Sequence, residues 1–178
     1  MPHLTTAELE AGLDEIRRSP KDHGVLVQIV RRPAVEERER LTEGELNPAE
    51  GLAGDYWRLR TSDSTTKPET QLTLMNSRCV SLLAQEEERW QLAGDQLYVD
   101  LDLSQENLPP GTRLAIGAAV VEVTHIPHNG CSKFIARFGA DAKVFVNSPI
   151  GKQLHLRGIY AKVITPGKIR AGDGVRKV

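Results

Sequence analysis

The chain has 178 residues and a formal charge of −1, enough for one buried core and with no overall bias toward a polyanionic partner. Charged residues make up 26% and no apolar run approaches the roughly 20 residues that span a bilayer, so a membrane partner is not expected. Two cysteines, Cys79 and Cys131, with no CxxC pair, exclude a disulfide framework.

Met1 to Ser19 carries neither a continuous apolar core nor a cleavage pattern, and together with the cysteine usage this predicts a cytoplasmic protein. Thr5-x-x-Glu8 is a capping box, Leu9, Leu13 and Ile16 share one helical face, and Ser19-Pro20 ends the helix. Residues 1–23 therefore form an N-terminal helical extension to a main domain over 24–178. Val25 to Val30 reads as a strand closed by Arg31-Arg32-Pro33, and the charged stretch 34–50 as an exposed connection. A turn at 51–54 leads to Asp55-Tyr56-Trp57, and 61–70 reads as a polar loop. Gln71 to Met75 is a strand, after which Asn76 or Ser77 caps a helix that buries Val80, Leu83 and Trp90.

From Ala93 onward the pattern is β-rich. Leu97, Val99, Leu101 and Leu103 alternate with other positions, and Pro109-Pro110-Gly111 makes a turn. Leu114 to Thr124 reads as one long strand whose inward face changes near Ala118-Ala119, as a bulge allows. Phe134 to Phe138 and Val144 to Val146 are short elements. Ile159 to Ile164 is a strand, Pro166-Gly167 a turn, and Ile169 to Val178 the closing strand. Short strands punctuated by turns predict a mainly β, α+β domain, a small barrel with two or three peripheral helices.

The chemistry concentrates around Cys131. His125-Ile126-Pro127-His128-Asn129-Gly130-Cys131-Ser132-Lys133-Phe134 places a thiol directly after an Asn-Gly turn signal, with imidazoles before it and a cation after it. A nearby cation or imidazole favours the thiolate, the form that acts as nucleophile or soft-metal ligand. Cys79, inside the second helical pattern, needs only core packing to explain it. The charge is also uneven: ten Lys or Arg against Asp141 and Asp173 give +8 over residues 131–178, leaving −9 over 1–130. That balance beside a reactive thiol suggests a small anionic ligand such as a phosphate. Nucleic acid is not indicated, because eight aromatics and no binding motif supply no readout surface.

Other chemistries are weaker. His125, His128 and Cys131 are spaced by three, yet no CxxC or HxxxH pair accompanies them, which argues against structural zinc. No P-loop or dinucleotide fingerprint is present, so ATP and NAD are not indicated. Among the Gly-Asp steps at 54–55, 94–95 and 172–173, Gly54-Asp55 stands out because it precedes Tyr56-Trp57-Arg58. Asp55 there is a candidate to bond a heterocyclic ring N–H or to fix a loop over a site.

The ordered segments Gly51-Leu52-Ala53-Gly54-Asp55, Gln71 to Asn76, Leu108 to Leu114, Val121 to Thr124, His128 to Phe134, Arg157 to Val163 and Gly167 to Asp173 resemble the MOSC family. This is the domain also found at the C-terminus of molybdenum cofactor sulfurases, and the resemblance spans about Gly24 to Val178. It implies a MOSC-type β-barrel whose signature cysteine is Cys131, which ligates molybdenum or carries sulfur as a persulfide. It further implies molybdenum cofactor (molybdopterin) as ligand, with Lys133, Arg137 and Arg157 as anion contacts. Asp55, His128 and Asn129 complete the implied cofactor-binding set. No pyridoxal-phosphate lysine motif is visible, so that association of the family does not extend to a site here. A separate cysteine desulfurase or molybdoenzyme is the implied sulfur donor or acceptor. The alternatives are a molybdenum-dependent reductase of N-hydroxylated compounds and a non-catalytic interaction module in which Cys131 is buried.

Overall fold

In the computed structural model, which describes residues 1–59 and 67–178, the chain opens with α1 (Thr6–Ala11) and α2 (Leu13–Arg17). The single helix predicted over this segment is broken at Gly12. Thr5 caps α1 as its sequence indicates, its Oγ1 accepting from Glu8 N–H at 3.3 Å. Strand β1 (Gly24–Arg31) follows. The stretch read as an exposed connection instead holds β2 (Glu39–Leu41) and β3 (Glu43–Asn47), with β4 (Gly51–Leu52) after it. Charged residues dominate the outward face of these strands, while Leu46 and Leu52 are buried beneath them. Glu43 of β3 pairs across the sheet with Arg170 at 2.8 Å, so charge here marks a ladder and not a loop. The polar loop expected over 61–70 lies outside the described residues as far as residue 66.

Strand β5 (Leu72–Asn76) runs into α3 (Ser77–Ala84), a 3-10 segment (Glu87–Ala93) and β6 (Leu97–Asp100). The long strand predicted over 114–124 is a hairpin, β7 (Arg113–Ile116) and β8 (Ala119–Val123), and the change of inward face near Ala118 is its turn and not a bulge. The short elements after Cys131 are helices α4 (Ser132–Phe138), α5 (Ala140–Asn147) and α6 (Pro149–Gln153). Strands β9 (Ile159–Thr165), β10 (Gly167–Arg170) and β11 (Gly174–Lys177) end the chain.

Seven strands close into a barrel in the order β1-β6-β5-β9-β8-β7-β11, with β11 returning to β1. Neighbours are antiparallel except β5 and β6, which α3 joins as a crossover. Closure removes the free edges that would template aggregation. A second sheet, β10-β3-β4, covers one side.

Two apolar clusters result. One fills the barrel, from Leu26 and Leu74 to Val121 and Val175. The other packs Leu9, Val80, Phe134, Phe138 and Phe145 of the helices onto Val30, Met75 and Tyr98 of the outer wall. Strands β5 and β6 are therefore buried on both faces, which is why no polar alternation survives in them.

Asn76 is the joint between barrel and helices. Its Oδ1 accepts from the N–H groups of Arg78 (2.8 Å) and Cys79 (3.2 Å), capping α3, while Nδ2 donates to Ser19 Oγ (2.8 Å) and Leu101 O (3.0 Å). Replacing it with Ala removes the cap and leaves Leu101 O short of a donor. Asn76→Ala is expected to cost about 2–3 kcal/mol, read from the urea midpoint at unchanged m-value.

Candidate functional site

Two buried carboxylates organise the surface at which the segments after β1, before β6 and after β8 meet. The first is Asp55. Its side chain is fully enclosed and accepts from Arg32 Nε (2.9 Å), Arg32 Nη2 (2.7 Å), the Arg32 N–H (2.9 Å), the Trp57 N–H (3.1 Å) and Gln96 Nε2 (3.2 Å). No lone pair is left for a ligand ring, and Asp55 does not line a cavity. Asp55 holds Arg32 in place. The guanidinium donates its remaining Nη1–H to Gly94 O and lies 5.0 Å from the Tyr56 ring centre. Burial disfavours the Arg32 charge, but Asp55 more than compensates and holds its pKa above the ordinary value.

The second carboxylate is Asp95, also fully enclosed, at the start of the run into β6. Its Oδ2 accepts from Arg157 Nη1 at 2.7 Å, and Arg157 Nη2 donates to Ala93 O at 2.9 Å. The guanidinium lies 5.1 Å from the Phe134 ring centre, which ties this pair to α4. The other oxygen, Oδ1, stands 3.8 Å from His128 Nδ1, and the His128 ring packs on Tyr160 at 4.6 Å between centroids. Gly158 makes this approach possible: its φ is +116°, and a Cβ there would sit 2.5 Å from Leu74 O and 3.4 Å from His128 Nδ1.

Above these pairs lies a cavity of about 150 Å³ lined by five cations: Arg32, Arg38, Lys133, Arg137 and Arg157. Among the described residues, Glu36 is the sole carboxylate in the lining. Arg38 is half-buried, and burial followed by the charges of Arg137 and Arg32 lowers its pKa. Cations crowded tightly enough to disfavour one another form a site for an anion. Beyond His128 and Arg157, which belong to both walls, a larger cavity of about 550 Å³ is lined mostly by apolar groups such as Leu108, Val123, Ile126 and Ile159. Asn129 faces this second space, and a volume in this range suits a small organic ligand.

Cys131 follows in the same loop and is exposed, at the N-cap of α4. The Asn-Gly pair before it makes no tight turn. Gly130 is buried with its N–H donating to Asn147 Oδ1 (2.9 Å) and its carbonyl accepting from Asn147 Nδ2 (3.2 Å). A Cβ there would press on Val146 Cγ2 at 3.1 Å, so glycine serves close approach to α5. Partial burial pushes the Cys131 thiol up. The backbone amides of Phe134 and Lys133 and the charges of Arg157 and Arg137 outweigh that effect, and its pKa is lowered. Cys79 is the opposite case, its Sγ bonded to Leu156 O at 3.3 Å and its pKa pushed by burial to about 12.

Lys133, Arg137, Arg157 and His128 are thus brought together in one wall, with Cys131 and Asn129 in the adjoining loop, while Asp55 lies behind it. Sequence reasoning missed Arg32, Arg38, Asp95 and Tyr160. Arg32 ends an apolar strand and Asp95 follows a left-handed Gly94, but neither signal distinguishes a buried ion from a surface one. The reading of Cys131 as the buried residue of an interaction module is corrected by its exposure. Among the described residues, no helix is long and apolar enough to cross a membrane.

A sequence model of the MOSC domain matches residues 67–176. No curated protein matches the chain. Among solved structures, the chain is similar to YiiM from Escherichia coli at 23% identity and a TM-score of 0.57, covering 86% of this chain and 69% of that one. It is also similar to the YuaD protein from Bacillus subtilis at 13% identity and a TM-score of 0.61, covering 85% and 93%. YiiM from Geobacillus stearothermophilus matches at 15% identity and a TM-score of 0.54, covering 87% and 73%. At these identities the likeness carries the fold alone.

The thiol geometry is directly measurable. In the native protein a small alkylating reagent should modify Cys131 alone, with a rate profile whose midpoint lies below that of an ordinary thiol. Only the thiolate reacts, so removing a neighbouring cation, as in Arg137→Gln, should move that midpoint to higher pH. Modification of Cys79 at a comparable rate, or an unshifted profile in the variant, would contradict this assignment.

Proposed function

This chain belongs to the MOSC domain family, a family associated with molybdenum-cofactor binding, and from that premise we propose that it binds the cofactor's phosphate in the cationic cavity and uses Cys131 as a soft sulfur ligand or sulfur carrier. The observation that carries the reading is the shared wall of His128 and Arg157, with a small cationic cavity on one side and a larger, mostly apolar one on the other. A ligand with a phosphate at one end and a flat ring at the other matches that division.

The residues present fit such a group. Arg32 and Arg157 are preorganised by Asp55 and Asp95, so they present charge without reorganising when an anion arrives. Lys133 and Arg137 stand at the more exposed rim. Among the described residues, no cluster of three His, Cys, Asp or Glu could hold a bare metal ion. The protein's contribution at the metal would be one thiolate, which suits an ion arriving with sulfur ligands of its own. When bound, the group would supply oxygen-transfer redox chemistry. This chain's part is to hold the anion, exclude alternatives by charge and present a deprotonated thiol.

As a sulfur carrier, the Cys131 thiolate would attack the outer sulfur of a persulfide on a donor such as a cysteine desulfurase. A new S–S bond forms at Cys131, the donor's S–S bond breaks, and its electron pair leaves on the donor cysteine as thiolate. No external oxidant is required. The lowered Cys131 pKa keeps a share of the thiol ionised for that attack. Exposure of Cys131 meets the access requirement.

The test combines two readouts on anaerobically purified protein. Incubation with a cysteine desulfurase and cysteine should add the mass of a sulfur atom to Cys131, and Cys131→Ser should gain none. Elemental analysis of protein co-expressed with cofactor-synthesising enzymes should find molybdenum, much reduced in Arg157→Gln. Wild-type protein that acquires neither sulfur nor molybdenum would refute the proposal.

A further inference from the structure

Among the described residues, Glu36 is the one carboxylate lining the cavity that holds five cations, and nothing in the proposed function requires it. Its Oε1 stands 3.4 Å from Lys133 Nζ, and its Oε2 stands 3.2 Å from Arg137 Nη2. Both cations belong to α4, on the rim of the cavity. The remaining carboxylates nearby are committed elsewhere, Asp55 to Arg32 and Asp95 to Arg157. Glu36 therefore neutralises the two rim cations that the buried aspartates do not.

Its backbone is unusual for the task. Glu36 has φ +63°, in the left-handed region that disfavours a side chain, inside a short excursion between β1 and β2 held by a bond from Glu37 N–H to Ala34 O at 3.1 Å. Val35 beside it is exposed and lines the same cavity. The Glu36 side chain is 61% exposed, so its departure gives up little burial of its own. A residue in a disfavoured conformation, held by two solvent-screened ion pairs, is poised for exchange.

We infer that Glu36 is the resident counter-ion of the cavity, the carboxylate that an incoming phosphate displaces from Lys133 and Arg137, so that it sets the affinity for phosphate-bearing ligands. The inference rests on the cationic cavity being an anion site. In the free protein the Glu36 carboxylate occupies the rim cations and limits their reach to arriving monoanions. A phosphate carries more charge and more acceptor oxygens than one carboxylate, so it replaces Glu36 and gains contacts with Arg32 and Arg157 behind it. Glu36 then competes with the bound phosphate and promotes its release, a useful property if the ligand is to be handed on.

The probe is inorganic pyrophosphate, titrated calorimetrically into wild type, Glu36→Gln, Glu36→Ala and the double variant Lys133→Gln/Arg137→Gln. Both Glu36 variants should bind about fivefold more tightly than wild type, the scale of two exposed ion pairs no longer broken on binding. The double variant should bind more weakly than wild type. In wild type, pyrophosphate should speed amide exchange at residue 37 as the loop leaves α4. Equal affinity in wild type and both Glu36 variants, or weaker binding in them, would overturn the counter-ion role while leaving the cavity an anion site. No binding by any form would overturn both. Thermal melts accompany the series: a Glu36 variant that loses thermal stability at unchanged affinity marks a structural tether, which also overturns the proposal.

Discussion

The ion pair between Asp95 and Arg157 is the constraint on which the rest of the site depends. Both side chains are almost wholly removed from water, and the two charges offset each other's burial by facing at 2.7 Å. Asp95 lies just before β6 and Arg157 just before β9, strands separated in the barrel by β5. The pair therefore links the segments that lead into two wall strands. Its carboxylate faces His128 of the loop after β8, and its guanidinium lies against Phe134 of α4, whose N-cap is Cys131. Two more hydrogen-bonded elements extend the arrangement: Arg157 reaches Ala93, and Arg32 reaches Gly94 next to it. The Asp55–Arg32 pair thus joins the same backbone segment as the Asp95–Arg157 pair.

The barrel explains why such costly ions are tolerated. Closure of the seven strands encloses one apolar cluster, and a second lies under the helices, where the Tyr98 hydroxyl donates to Trp90 O. The buried pairs Asp55–Arg32 and Asp95–Arg157 share the backbone segment before β6. There the two aspartates hold guanidiniums in place, and in the proposed reading these donors are already desolvated and oriented for an anion. The same field acts on Cys131, whereas Cys79, a few ångströms of chain from the end of β5, is sealed in the apolar layer and kept protonated.

How much of this was legible in the residues differs by range. Local signals were reliable: Thr5 and Asn76 cap helices because the acceptor and the amide it caps lie within three residues. The apolar strands around Leu72, Leu97, Val121 and Ile159 were found for the same reason, although alternation failed in β5 and β6, which face two cores. The connection at 34–50 was misread because its strands bury only isolated leucines, and β10, a partner of β3, lies more than 120 residues away. The bulge read near Ala118 was a hairpin, since a change of parity looks the same whether the chain kinks or reverses. Asp55 was chosen for its neighbours in sequence, but its partner Arg32 comes from 23 residues earlier and consumes it.

The sequence by itself determined the fold family and the helix caps, and set Cys131 apart from Cys79, because order and spacing of short segments carry those. It also determined that cations gather after residue 131. Only the tertiary structure decided which of them share a cavity, that Arg32 and Arg38 from the acidic first part join them, and that Asp95 anchors the wall. It decided as well that Glu36 stands among them. The physical reason is that pairing of charges beside the barrel wall depends on distances between loops far apart in the chain. Composition fixes how many charges there are, and strand order fixes which ones meet.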